Sequence, residues 1–211
     1  MLRRTWLNTI AASALVTLFA TTAALATEDF GFVEGVEYKK IPQEQSIAPH
    51  TKQVTEVFYY GCGHCYKLEP SIHNWLKTKP ADIHFEQVPA VLNNPNWIFM
   101  GKVYYTAKEL GVLEQSHMPF FTALHKDRQS LFTVEELAKF FTQFDVKEAD
   151  FIATFKSFKV DQLVRQAMRT TQAYGIDGVP AVIVNGKYLT DVPMAQSTER
   201  MWNLINILTT K

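Results

Sequence analysis

The sequence lacks the cysteines that a network of structural disulfides would need, because it has only two in 211 residues, Cys62 and Cys65. A bridge between them would constrain the unfolded chain little, since loop-closure stabilisation grows with loop length. There is also no second cysteine pair and no His-x-x-x-His pattern, whereas a closed zinc site takes four ligands. These absences argue against a disulfide scaffold and against a metal site, and they favour a redox couple.

Neither sign of charge is in excess, with 21 basic and 21 acidic side chains. Residues 1–26 hold two arginines and no acidic residue, which leaves 19 basic and 21 acidic side chains, a net charge of −2, in the other 185 residues. We therefore expect no nucleic-acid partner. A chain of this length can bury a sizeable core in one domain, or in one domain with a large insertion.

The N-terminus has the pattern of a secretory signal peptide. Arg3 and Arg4 precede an apolar stretch over residues 10–25, and small residues follow at 24–26. We expect cleavage after Ala26 and export of a soluble protein. A membrane anchor is the competing interpretation, but the stretch is short for a span and no basic stop-transfer segment follows it. The arginine pair also resembles a twin-arginine signal, although general secretion is the default route.

The two cysteines lie where a strand pattern gives way to a helical one. Residues 55–60 are rich in β-branched and aromatic side chains, which predicts a strand. From Cys65 to about Lys77, apolar residues repeat at helical spacing. A helix that begins at Cys62 points its unpaired backbone N–H groups and its positive dipole end at that sulfur, which favours the thiolate. Cys65 lies one turn further on the same face, within reach of a disulfide.

The rest of the chain divides into a second strand, a helical region and a hairpin. Residues 83–88 alternate like a strand parallel to the first, and the region from 96 to about 174 is helical throughout. The Asn185-Gly186 pair then separates two short strand patterns, which predicts a hairpin because both turn residues need positive φ. An amphipathic helix ends the chain.

Two segments carry a resemblance to a known family. Residues 56–66, around Cys62-Gly63-His64-Cys65, and residues 178–187, around Val179-Pro180, resemble the corresponding parts of the exported DsbA-type thiol:disulfide oxidoreductases. The resemblance implies an α/β protein with a thioredoxin fold and a large helical domain inserted between its two halves. The implied divisions are a cleaved signal peptide over 1–26, a first thioredoxin-like half over 27–95, the inserted helical domain over 96–174 and a second half over 175–211.

The resemblance also implies roles for particular residues. Cys62 would be the exposed nucleophile that forms mixed disulfides, and Cys65 the more buried partner that resolves them. Pro180 would belong to a cis-proline loop facing the pair, where the backbone of Val179 is free to pair with an extended client strand. Glu56 would be a buried acid that relays a proton for Cys65. The alternative for Glu56 is a solvent-facing position on an edge strand.

Gly63 and His64 lie between the two cysteines. The N–H or the positive charge of His64 would stabilise the Cys62 thiolate, whereas the alternative is an ordinary exposed helix residue. DsbA-type oxidases usually carry proline at the position of Gly63, and glycine loosens the start of the helix. Phe85 and Glu86 occupy the neighbourhood of the lysine that often accompanies the buried acid in this family.

The implied function is donation of the Cys62–Cys65 disulfide to folding exported proteins in the periplasm. No cofactor is required, because the two sulfurs hold the electrons. We expect a monomer that a DsbB-type quinone-linked membrane protein reoxidises. A disulfide reductase or isomerase is the nearest rival. A binding protein or chaperone with a bracing disulfide is the rival from another class.

Overall fold

The computed structural model describes residues 31–211, so the predicted signal peptide and its cleavage site lie outside the described residues. Within this range five strands form one mixed sheet: β1 (Lys39–Lys40), β2 (Lys52–Phe58), β3 (Ile83–Pro89), β4 (Ala181–Val184) and β5 (Tyr188–Thr190). Their order is β1-β5-β4-β2-β3, with β2 and β3 parallel and the other neighbours antiparallel. Strand β2, which leads to the cysteines, is therefore an interior strand.

The helices of this range are α1 (Gly63–Thr78), α2 (Pro95–Glu109), α3 (Leu113–His125), α4 (Val134–Phe141), α5 (Glu148–Phe155), α6 (Phe158–Ala173), α7 (Val192–Ala195) and α8 (Thr198–Leu208). None of these helices is long and apolar enough to cross a membrane. Helices α2 to α6 all lie in the connection between β3 and β4, and we call them the helical block. This order of elements confirms the predicted thioredoxin fold with a helical insertion.

Local sequence signals account for several element boundaries. The Thr133 hydroxyl accepts a hydrogen bond from the Glu136 N–H, and the Glu136 carboxylate accepts one from the Thr133 N–H, so α4 begins with a complete capping box. Asn185 and Gly186 have φ of 52° and 61°, as a type I′ hairpin turn requires. The hairpin predicted from this pair is confirmed by the antiparallel pairing of β4 with β5.

Aromatic rings join the helical block to the end of β2. Phe58 contacts Tyr104 of α2 edge-on, with ring centroids 5.4 Å apart, and Tyr60 contacts Phe120 of α3 in the same way at 4.7 Å. All four side chains are buried. Edge-to-face aromatic pairs add stabilisation beyond their buried area. The insertion thus supports the segment that carries the cysteines.

Two details differ from the sequence-based prediction. Strand β2 ends at Phe58 rather than Tyr60, because the Tyr59 carbonyl accepts a hydrogen bond from the Cys62 N–H at 2.9 Å and so closes a turn. The polar segment before β2 also contains the short edge strand β1, in which Lys39 pairs with Leu189. Two lysines carry no strand signal of their own, but charged residues are common on edge strands.

We expect Gly186→Ala to lower the free energy of unfolding by about 2 kcal/mol or more, since it combines a left-handed backbone with a Cβ that would collide with the Gln45 carbonyl oxygen. Gly111→Ala is the matched control: φ is 71° there, but a Cβ would meet nothing within 4 Å. It should cost only about 1 kcal/mol. Urea denaturation of both variants measures the difference, and equal losses would contradict the importance of the Gln45 contact.

Candidate active site

Cys62 caps the N-terminus of α1. Its φ and ψ of −92° and 113° are not helical, and its Sγ accepts a hydrogen bond from the Cys65 backbone N–H at 3.3 Å. A serine or aspartate oxygen occupies this place in many helices, where negative charge is favoured. The position of Cys62 in the chain therefore stabilises an anionic sulfur.

The two sulfurs differ in exposure and in acidity. Cys65 is fully buried, whereas Cys62 is partly exposed. The hydrogen bond from the Cys65 thiol is the largest influence on Cys62 and lowers its pKa to about 6, with help from the backbone N–H groups of Cys65 and His64 and against the effect of burial. Burial raises the pKa of Cys65 well above its usual range, and the hydrogen bond to Cys62 and the charge of Glu56 act in the same direction. At neutral pH the reduced pair thus holds one thiolate, on the accessible sulfur.

His64 influences the Cys62 sulfur in two ways of different size. Its backbone N–H lowers the pKa of Cys62 more than its side-chain charge does, and that charge is the smallest of the named influences. The His64 side chain is exposed, as expected for a residue that follows the helix start. A side chain in water exerts a weaker field than the fixed N–H groups of the helix end.

The loop over residues 178–180 lies against the cysteine pair. The Val179 carbonyl oxygen is 3.4 Å from the Cys62 Sγ, so a Cys62 thiol donates a hydrogen bond to it. The Val179–Pro180 peptide bond is cis, as the resemblance predicts. The loop borders a groove of about 520 Å³ whose lining includes His64, Lys67, Leu68, Val179, Pro180 and Val192.

Glu56 is fully buried in β2, opposite Gln87 of β3 and Val182 of β4. Its Oε2 accepts a hydrogen bond from Gln87 Nε2 at 2.7 Å, and its Oε1 has no hydrogen-bond partner among residues 31–211. Burial raises the pKa of Glu56 well above its usual range, followed by the nearby Glu69 carboxylate, while the Gln87 hydrogen bond opposes the shift. The edge-strand alternative is therefore excluded, and the carboxyl is biased towards its protonated form.

Sequence analysis missed the polar groups that hydrogen bonds connect to Glu56. Gln87 bonds to Glu56 directly, and Glu69, His117 and Tyr60 follow it in sequence along the hydrogen bonds. Glu69 had a readable signal, because it lies four residues after Cys65 on the buried face of α1. Gln87 had none, since only the register of β2 and β3 places it, rather than Phe85 or Glu86, opposite Glu56. His117 comes from the helical block and shows no ligand spacing.

A partly exposed cysteine of low pKa, a buried partner cysteine and a proline loop beside the reactive sulfur, all on a thioredoxin fold, define the class of thiol:disulfide oxidoreductases. Within residues 31–211 no group of three or more His, Cys, Asp or Glu side chains is arranged to hold a metal ion. Residues 53–206 match the family described as DSBA-like thioredoxin domain. The chain belongs to this family and is a thiol:disulfide oxidoreductase.

Known relatives match over most of their length. The chain is 33% identical to the thiol:disulfide interchange protein DsbA of Pseudomonas aeruginosa over 193 residues, which are 91% of this chain and 91% of that protein. It is 34% identical to the protein of the same name from Azotobacter vinelandii, over 94% of this chain and 92% of that one. A crystal structure of Pseudomonas aeruginosa DsbA superposes with a TM-score of 0.79 at 34% identity, covering 85% of this chain and 94% of that one.

We expect alkylation of the reduced protein to modify Cys62 with a pH midpoint near 6, and Cys65 hardly at all below pH 9, because the pKa of Cys62 is about 6 and that of Cys65 is raised far above its usual range. Mass spectrometry of each labelled cysteine measures both. The comparison of Cys65→Ala with His64→Ala tests the cause. Loss of the Cys65 thiol should raise the midpoint more than loss of the His64 side chain, and the reverse order would contradict the ranking of the two influences.

The stability of the reduced protein should depend on pH in the same range. The pKa of Cys62 is about 6 in the folded protein and about 8.5 in an unfolded chain, so the stabilisation is fully present above about 8.5 and is lost as pH falls through about 6. The oxidised form has no such thiolate. Urea denaturation at pH 7 should therefore find the reduced form at least as stable as the oxidised form, with the margin shrinking towards pH 5. A margin that does not change with pH would contradict a lowered pKa of Cys62 in the folded protein, and a clearly more stable oxidised form at pH 7 would indicate a bracing disulfide.

Proposed function

We propose that this protein donates its Cys62–Cys65 disulfide to exported proteins that still carry reduced cysteines, through a mixed disulfide at Cys62. The difference in acidity between the two sulfurs carries the proposal. A disulfide whose reduction yields a stabilised thiolate is a strong oxidant. The pKa of Cys62, at about 6, therefore supports an oxidase more than the rival reductase or isomerase, although Gly63 replaces the proline usual in such oxidases.

The exchange conserves atoms and electrons in two steps. A client thiolate attacks Cys62 Sγ, the bond between Cys62 and Cys65 breaks, and its electron pair passes to Cys65 Sγ, which takes up a proton. A second client thiolate then attacks the client sulfur of the mixed disulfide, and Cys62 leaves as a thiolate. The client loses two electrons and gains a disulfide, and the protein is left reduced.

Glu56 supplies the proton that Cys65 takes up in the first step. Cys65 is buried and has a pKa well above its usual range, so it leaves as a thiol only if a donor stands nearby. Burial biases Glu56 towards the protonated form, and its charge acts on Cys65 electrostatically. Water then supplies Glu56 with a new proton. During reoxidation of the cysteine pair, water takes up the proton that Cys65 releases.

Val179 and Pro180 hold the client in position for the exchange. The Val179 backbone lies beside the Cys62 sulfur, and an extended chain can pair with such a backbone edge. The adjoining groove offers the apolar side chains of Leu68 and Val192 to residues near the client cysteine. Because the recognition uses mainly backbone, it suits clients of many sequences.

Cellular context follows from the N-terminal sequence and the family. The signal-like segment supports export with cleavage after Ala26, and we place the protein in the periplasm as a monomer. A DsbB-type quinone-linked membrane protein would reoxidise the cysteine pair. The remaining alternative is a binding protein with a bracing disulfide. The short loop between the cysteines argues against it, because a bridge across so short a loop constrains the unfolded chain little.

Cys65→Ala tests the proposal directly, because its Cys62 thiolate can still attack a client disulfide, which is the reverse of the second step. The variant lacks the Cys65 thiol that would then release the client by the reverse of the first step. We expect Cys62-linked client proteins to accumulate in the exported fraction, where non-reducing gels and mass spectrometry identify them. Cys62→Ala is the matched control and should capture none. Recovery of no linked clients from Cys65→Ala, with thermal unfolding unchanged, would mean that the pair does not exchange with proteins.

A further inference from the structure

A buried chain of hydrogen bonds runs from Glu56 into the helical block. Gln87 Nε2 donates to Glu56 Oε2 at 2.7 Å and to Glu69 Oε1 at 2.9 Å. His117 Nε2 lies 2.9 Å from the same Glu69 oxygen, and His117 Nδ1 lies 2.8 Å from the Tyr60 hydroxyl. All but Gln87 are less than a tenth exposed. The chain thus connects β2, β3, α1 and α3 beneath the cysteines.

The Tyr60 hydroxyl sets the donor and acceptor roles of the His117 ring. This hydroxyl is buried, and its hydrogen bond to His117 Nδ1 is the one it makes within the described part of the chain. Burial raises the pKa of Tyr60 well above its usual range, so the hydroxyl keeps its hydrogen and donates it to Nδ1. A ring that accepts at Nδ1 carries its hydrogen on Nε2, so Nε2 donates to Glu69 Oε1.

Ionising both of two buried carboxyls that share one amide donor is unfavourable in free energy, because like charges at short range raise each other's proton affinity. Glu69 Oε1 accepts two hydrogen bonds, from Gln87 and His117, and such bonds favour the ionised form. Glu56 accepts one, and its other oxygen has no partner among residues 31–211. The two carboxyls therefore differ in the number of hydrogen bonds that they accept, and the second donor to Glu69 is His117.

We propose that His117 is a positioning residue for the exchange reaction: by donating to Glu69 through Nε2, it keeps Glu69 ionised and so leaves the proton on Glu56, where Cys65 can receive it. This inference rests on the proposed role of Glu56 as proton donor. It gives the helical block a chemical part in the reaction besides its structural one. His117 acts through Glu69 and Gln87 and touches neither sulfur of the pair.

The proton that Glu56 and Glu69 share limits the negative charge of this carboxyl pair, because the surrounding groups do not neutralise it. The titratable groups that act on Glu56 or Glu69 are Cys62 and Cys65 of the active-site turn and α1, Tyr60 after β2, Tyr104 of α2 and His117 of α3. Burial raises the pKa of both tyrosines, so they stay neutral. No lysine or arginine is among these groups.

The test locates the proton by carboxyl carbon NMR of the purified protein labelled with ¹³C-glutamate, with Glu56→Gln and Glu69→Gln assigning the two signals. In the wild type Glu56 should be protonated and Glu69 ionised at pH 7. His117→Leu should move the proton to Glu69, whereas His117→Gln, whose amide still donates, should keep the wild-type pattern. His84→Gln, which changes an exposed histidine of β3, is the matched control.

The kinetic readout is reduction of the disulfide by dithiothreitol from pH 5 to 9. We expect His117→Leu to slow this reduction about tenfold at pH 7, which is the factor that corresponds to a change of one pKa unit. In a Glu56→Gln background the same change should have no effect, because a residue that acts through Glu56 needs that carboxyl. Equal slowing in both backgrounds, or a proton that stays on Glu56 in His117→Leu, would overturn the proposal.

Two outcomes keep this test separate from the proposed function. If His117→Leu does not fold, Glu69→Gln tests the coupling through which His117 is proposed to act. Loss of the Glu69 charge should lower the pKa of Glu56, and no change would overturn the proposal. If wild type fails to oxidise protein clients, the proposed function fails. The NMR titration would even then show whether His117 decides which carboxyl carries the proton.

Discussion

The hydrogen bonds that the Cys62 sulfur accepts at the N-terminus of α1 are the interaction on which the rest of the site depends. The Cys65 thiol and the backbone N–H groups of Cys65 and His64 all favour a negative charge on that sulfur. A helix start supplies such donors because its first N–H groups have no partner within the helix. The acidity of Cys62 thus depends first on the hydrogen bond from the Cys65 thiol, then on the backbone N–H groups of the helix start, and least on the charge of the His64 side chain.

The low acidity of Cys65 complements the high acidity of Cys62. Burial keeps Cys65 protonated, and the fixed position of α1 against β2 holds its thiol where it can donate to Cys62.

A carboxyl in the interior strand β2 would ordinarily be costly, since a buried charge without partners is strongly destabilising. Glu56 reduces that cost by holding a proton and by accepting a hydrogen bond from Gln87. In the proposed mechanism the same proton passes to Cys65.

The helical block explains why the cysteine turn is well supported even though Gly63 loosens the start of α1. Tyr104 and Phe120 pack against the end of β2, and His125 Nε2 donates to the Tyr60 carbonyl at 2.7 Å. These contacts fix the segment immediately before Cys62. An insertion that packs in this way can pass hydrogen-bond constraints to the site as well as shape.

The sequence by itself determined the features whose causes are local. Helical spacing from Cys65 to Trp75, the Thr133 capping box and the Asn185-Gly186 turn each follow from a few neighbouring residues, and they predict the element order and hence the fold class. Only the tertiary structure decided which side chains from distant parts of the chain contact each other. Gln87 meets Glu56 only through strand register, and His117 reaches Glu69 only because the helical block folds back over α1. Such pairings join residues far apart in the chain, so no local pattern of residues could reveal them.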